Sequence, residues 1–212
     1  MSVGRGALIV FEGCDRAGKS TQVKMLIEAL KKRNIPTEAR AFPDRTTPTG
    51  TLINNFLCNK LELPPETTHL LFSANRWEVK EDIIKSLQNG VTVIIDRYAG
   101  SGAAYTAALS GKCLTWCKEA DKGLPSPDLV ILLKVSEKTQ CSRSNWGSER
   151  YENSEFQKRV ALNYEKLIEK TWSSIDANGE TLEIHSQVLK QVLNTVQKVK
   201  NLPIGMLYMP PP

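Results

Sequence analysis

Lys19 and Ser20 close an eight-residue run, Gly13-Cys14-Asp15-Arg16-Ala17-Gly18-Lys19-Ser20, that matches the pattern G-x-x-x-x-G-K-[ST]. Its glycines let the backbone curl around an anion, and the amides opening the next helix point at that anion. In such a loop the lysine reaches the β- and γ-phosphates of a nucleotide, and the hydroxyl holds Mg²⁺. A bare match can be a glycine-rich turn, so context decides. Ala7 to Phe11 reads as a buried strand before the loop, and Val23, Ile27 and Leu30 repeat at helical spacing after it. A second candidate is Asp96, which ends the apolar run Val91 to Ile95. A carboxylate there suits Mg²⁺, directly or through water; its alternative is a cap on the next helix. Arg97 beside it suits a clamp on a second phosphate. Arg45, Arg76 and Arg150 stand next to turn residues or aromatics. Each alone reads as a solvated charge; with Arg97 they imply a pocket for a phosphorylated acceptor, since the guanidinium fork grips phosphate bidentately.

The elements that must hold these groups alternate. Strands are expected at Thr37–Phe42, Val91–Ile95 and Leu129–Val135, with a weak last one at Ser174–Ala177. Helices are expected around Leu52–Leu57, from Glu66 to Gln88, from Ser154 to Trp172 and through Val188–Val199. Leu70, Leu71, Ala74, Trp77, Ile84 and Leu87 are read as the buried face of the long second helix, and Ser154-x-x-Gln157 as a capping box. Alternation of this kind predicts an α/β fold, a mostly parallel sheet with helices on both faces. With 212 residues and no linker, one domain is expected. The polar stretch 138–150 reads as a surface loop or a lid, and 201–212 as a loose tail.

Composition narrows the class. A net charge of +5 is a mild excess without an aromatic-laced basic patch, so arginines converging on a small polyanion are favoured over nucleic-acid binding. No apolar run reaches membrane-spanning length. Five scattered cysteines suit free thiols in the cytoplasm, and two histidines leave little for zinc or triad chemistry.

Six segments carry a resemblance: Gly13 to Thr21, Phe42-Pro43-Asp44-Arg45, Leu71 to Glu78, Asp96-Arg97-Tyr98, Gly123 to Leu129, and Glu149-Arg150-Tyr151-Glu152. In this order they resemble thymidylate kinases of the eukaryotic type. The resemblance implies a five-stranded parallel P-loop nucleoside-monophosphate kinase fold. It also implies phosphoryl transfer from ATP to dTMP in dTTP biosynthesis, with Mg²⁺ as cofactor and a homodimer as assembly. Carried over by position, Gly13 and Arg16 to Thr21, with Ala17, Gly18, Lys19 and Ser20 between, would hold ATP. Arg143 would pack against adenine. Asp15 would bond the deoxyribose 3′-OH, Phe72 would stack on thymine, and Arg76 would bond a base carbonyl. Arg45 and Arg97 would hold the acceptor phosphate, with Phe42, Ser101, Gly102 and Gln157 completing the pocket. Tyr105 and Tyr151 would crowd the sugar's 2′ position, and Arg16 would be the catalytic arginine. Phe72 also suits a helix core, and Gln157 its own helix cap. A GTP-binding switch is the rival class, but it needs an N-K-x-D element, and Asn59-Lys60-Leu61-Glu62 precedes a proline pair rather than following a strand.

Overall fold

In a computed structural model that describes residues 4–143 and 149–210, five parallel strands lie in the order β2-β3-β1-β4-β5. These are β1 (Leu8–Glu12), β2 (Thr37–Ala41), β3 (Thr92–Asp96), β4 (Leu129–Lys134) and β5 (Trp172–Asp176). The central strand β1 pairs with β3 on one side and β4 on the other, with Phe11 level with Asp96 and Ile131. Side chains alternate across a strand, so one sequence builds two cores. Ile9, Phe11, Ile94 and Ile131 meet Leu26 and Leu30 of α1 (Lys19–Lys31) and Val188 and Val192 of α9 (Thr181–Val199). Leu8, Val10, Val93, Ile95 and Val130 face the other way, toward Ile83 and Leu87 of α4 (Lys80–Gln88). Both faces are apolar because helices cover both. The strand order reverses around β1, and the crevice at the strands' carboxyl ends is where such sheets bind ligands.

The remaining helices are α2 (Pro48–Leu57), α3 (Pro65–Trp77), α5 (Ala99–Ser110), α6 (Leu114–Glu119), α7 (Glu137–Ser142) and α8 (Ser154–Leu167). Several expectations need correction. The helix expected over Glu66–Gln88 is two, α3 and α4, with Val79 leaving helical geometry at φ −114° and ψ 10°. They serve different cores: α4 buries Ile83 and Leu87 against the sheet, whereas α3 buries Thr68, His69, Ser73, Asn75 and Arg76. Leu70, expected to be buried, is 55% exposed. The buried face of α3 is therefore a polar wall, which apolar periodicity cannot find.

The helix expected to run to Trp172 stops at Leu167, because Trp172 opens β5. Its cap is Asn153, whose side chain accepts from Phe156 N at 2.9 Å; no capping box forms, and Gln157 turns to other work. Sequence periodicity also assigns no helix after Asp96, yet α5 begins at Ala99. Its sequence, AGSGAAYTAALS, is small apart from Tyr105 and Leu109 and carries no apolar stripe to detect.

The expected lid begins as α7, and its residues 144–148 lie outside the described residues, as do 1–3 and 211–212. The tail expected to be loose is held through Leu207. Leu207 N donates to Leu124 O at 2.7 Å, Gly123 N to Leu207 O at 3.0 Å, and Ser126 N to Gly205 O at 2.8 Å. Ile204 and Leu207 pack against the core beneath α5. Deleting residues 203–212 is expected to cost about 2–4 kcal/mol of folding stability, the worth of these bonds and two half-buried aliphatics. A urea midpoint unchanged by the deletion would contradict that.

Candidate active site

Gly13 stands at φ +138°, and a Cβ there would lie 2.4 Å from Leu133 O, so only glycine lets β1 turn beneath β4. The loop then folds around Lys19, whose Nζ donates to Cys14 O at 2.7 Å and Gly13 O at 3.1 Å. Burial, with Arg97's positive charge adding to it, pulls the Lys19 ammonium down to about 8. Ser20 Oγ donates to Asp96 Oδ2 at 2.5 Å, so the predicted metal ligands meet across the β1–β3 gap. Among the described residues no group of three His, Cys, Asp or Glu side chains could hold a metal. A hydroxyl and one carboxylate suit a Mg²⁺ that takes its remaining ligands from phosphate and water.

Two clefts open here. One follows the loop and α1 from Arg16 through Thr21, past Asp96, to Arg143, Ala177 and Thr181. The other runs between α3 and α5 and is lined by Phe72, Arg76, Ser101, Gly102, Tyr105 and Tyr151. They share a wall made of Asp15, Phe42, Pro43, Arg45, Arg97 and Glu149.

Each arginine at these clefts is held. Arg97 pairs through Nη2 with Asp15 Oδ1, donates to Gly13 O at 3.1 Å and lies 5.2 Å over the Tyr105 ring. Arg45 bridges Asn54 and Glu149, each at 2.8 Å. Arg16, left-handed at φ 58°, pairs with Glu152 at 2.7 Å. Arg143 reaches the carbonyls of Arg16 and Ala177. Arg76 is 2% exposed and bidentate to Asp121 through Nε at 3.0 Å and Nη2 at 2.7 Å. Gly102 must lack a side chain for this, since a Cβ would come within 2.6 Å of Arg76 Nη2.

Phe72 lines the second cleft and also packs against the α5–α8 core, the packing its helix position led one to expect. Phe42 is buried at the shared wall against Tyr98. Tyr105 and Tyr151 form an aromatic cluster with Phe156, Tyr151 stacked on it at 4.8 Å. Burial drives both phenols well above their ordinary value. The buried Tyr105 hydroxyl faces Gln157 but makes no well-formed hydrogen bond among the described residues. Gln157 wraps Asp15, accepting from its N at 2.9 Å and donating to Oδ2 at 2.6 Å.

Arg150 does not join the site. Its guanidinium packs 4.2 Å over Phe56 and pairs with Glu62 at 2.6 Å, lining neither cleft. Sequence reasoning also missed Glu12, a buried carboxylate accepting from Tyr98 N, Ser101 N, Ser101 Oγ and Tyr164 Oη at 2.6–3.0 Å. Its position at the end of an apolar strand was the available signal, the same one that marked Asp96. Asp121 had no local signal; 45 residues separate it from Arg76.

A thymidylate kinase family model matches residues 11–188. The chain is 43% identical over 211 residues to the thymidylate kinase of Danio rerio, covering 98% of this chain and 100% of that one. It is 41% identical over 211 residues to the Homo sapiens enzyme, with the same coverage. The solved thymidylate kinase of Candida albicans superposes with a TM-score of 0.86 at 36% identity, covering 96% of this chain and 99% of that one.

The Lys19 shift sets a pH dependence. Only the ammonium pairs with phosphate, and a bound polyphosphate raises its pKa again. Binding therefore takes up a proton above about pH 8. Affinity for ATP is expected to fall as pH rises through that value, by up to about tenfold per unit. Folding runs the other way: the folded value lies below the ordinary lysine value of 10.5, so Lys19 opposes folding at neutral pH and stability rises from about pH 8 upward. Calorimetric titration between pH 7 and 9.5 checks the first effect; a flat affinity would rule out Lys19 as the titrating contact.

Proposed function

The chain belongs to the thymidylate kinase family and phosphorylates dTMP to dTDP with ATP; we propose that transfer occurs across the wall where its two clefts meet. The observation that carries this is the sharing of Asp15, Arg45 and Arg97 by both clefts. An acceptor phosphate held by Arg45 and Arg97 would there face a triphosphate wrapped by residues 13–21.

In this reading Gly13, Ala17 and Gly18 offer backbone to the donor phosphates, with Thr21 alongside. Lys19 and Arg16 neutralise the charge that grows on the transferring group. Arg143, with Ala177, Thr181 and Ile184 beside it, takes the adenine end. Ser20 and Asp96 would hold Mg²⁺, which would supply further neutralisation of phosphate charge. An oxygen of the acceptor phosphate attacks the γ-phosphorus in line, the bond to the β-bridging oxygen breaks, and ADP leaves. The nucleophile is already ionised, so no general base is required.

Phe72 stacks on the thymine, and Arg76, its Nε and Nη2 spoken for by Asp121, offers Nη1 to a base carbonyl. Asp15 accepts from the 3′-OH. Ser101 and Gly102 floor the pocket, while Tyr105 and Tyr151 leave no room for a ribose 2′-OH. The five free cysteines fit a cytoplasmic enzyme, no helix among the described residues is long and apolar enough to cross a membrane, and the exposed Leu70 of α3 is available to a second copy.

Steady-state rates with ATP and a panel of dTMP, dUMP, dCMP and AMP test the proposal; dTMP is expected to have the highest kcat/KM, and another preferred acceptor would overturn the base-site assignment. Arg16→Ala is expected to lower kcat by about 10²–10³ with an unchanged far-UV spectrum. Near-normal turnover in that variant would remove Arg16 from the chemistry.

A further inference from the structure

Gln157 can grip Asp15 in only one orientation of its amide. Its Oε1 accepts from Asp15 N at 2.9 Å, while its Nε2 donates to Asp15 Oδ2 at 2.6 Å and to Tyr151 O at 3.0 Å. Turned over, its NH₂ would meet an N–H, and its oxygen would meet a carboxylate and a carbonyl. Two donors mark the correct orientation. One is Asp15 N itself. The other is Gln140 on α7, whose Nε2 donates to Gln157 Oε1 at 3.2 Å and to Asp15 O at 2.7 Å.

We infer that Gln140 is a positioning residue for the acceptor nucleotide, acting by fixing the Gln157 amide and with it the Asp15 carboxylate. This rests on the reading of Asp15 as the sugar contact. Gln140 sits outside both clefts and touches no substrate position. It is the buried side chain of the six-residue helix α7, and its amide is spent on this one cluster. A buried amide with both bonds directed at the same two residues is costly to keep unless its orientation matters. One turn later Arg143 holds the carbonyl of Arg16. The helix and its C-cap residue thus secure consecutive carbonyls of the phosphate loop, and Gln140 is the member that also bonds Gln157.

Two variants test it in the full-length enzyme. Gln140→Met keeps length and packing but removes the donor. It is expected to raise KM for dTMP about tenfold, the worth of one net hydrogen bond, and to move KM for ATP less. Gln140→Glu places acceptors opposite Asp15 O and Gln157 Oε1 and should be worse at pH 8. Protonation restores a donor, so its KM for dTMP relative to wild type should recover at pH 6, whereas the ratio for Gln140→Met stays flat. Burial among oxygens raises a carboxyl's pKa into that range. Adding Gln140→Met to Gln157→Met should cost less than it does in wild type, since only the bond to Asp15 O is then left to lose. A normal dTMP KM in Gln140→Met, a pH-independent defect in Gln140→Glu, or full additivity with Gln157→Met would each overturn the inference. Wild-type enzyme that ignores dTMP would instead overturn the assigned substrate, so the two failures are distinct.

Discussion

Positive charge must be stored before any phosphate arrives, and the site is organised around that demand. Lys19, Arg16, Arg45, Arg97 and Arg143 crowd the mouths of two adjoining clefts. Like charges about 4 Å apart repel by about 4 kcal/mol near a protein surface, a large part of the roughly 5–15 kcal/mol that keeps a domain folded. The fold answers with carboxylates: Arg16 has Glu152, Arg45 has Glu149, Arg97 has Asp15 and Arg76 has Asp121. Lys19 and Arg143 lean on carbonyls instead, and burial beside Arg97 lowers the Lys19 pKa.

The pairs differ in what they can do. Arg76 and Asp121 are sealed from solvent and bonded at two points, so that geometry is fixed, and exchanging Asp121 for a ligand would leave a buried charge. Arg45 and Glu149 are half-exposed, where an ion pair is worth little. A phosphate can displace that carboxylate cheaply. The rigid arginine thus lies along the cleft wall and the exchangeable one at the junction of the two clefts.

Beneath these groups lies a polar scaffold that apolar patterning does not describe. Glu12 ties the end of β1 to the first turn of α5 and to Tyr164 of α8. Asn75 ties α3 to the loop after β2 through Asp44 and Thr47. Such networks are stable only when every member is satisfied. They join β1, α3, α5 and α8 around the second cleft.

The amino-acid order alone determined the phosphate loop, the two-faced strands and the carboxylate ending β3, because each is a local pattern: spacing within a loop, alternation along a strand, a charge at its end. The same locality explains the misses. Leu70 and Trp77 have helical spacing, yet the face of α3 that turned inward is polar, and only packing against α5 decided which face that was. Gln157 fits a capping pattern, but Asn153 took the cap and left the amide to Asp15. Arg150 looks like its neighbours in sequence and points elsewhere. Asp121 and Gln140 meet partners 45 and 125 residues away. Such distant pairings exist only once the sheet has brought the strand ends together, so tertiary structure alone chose which arginines share a site and which residues hold them there.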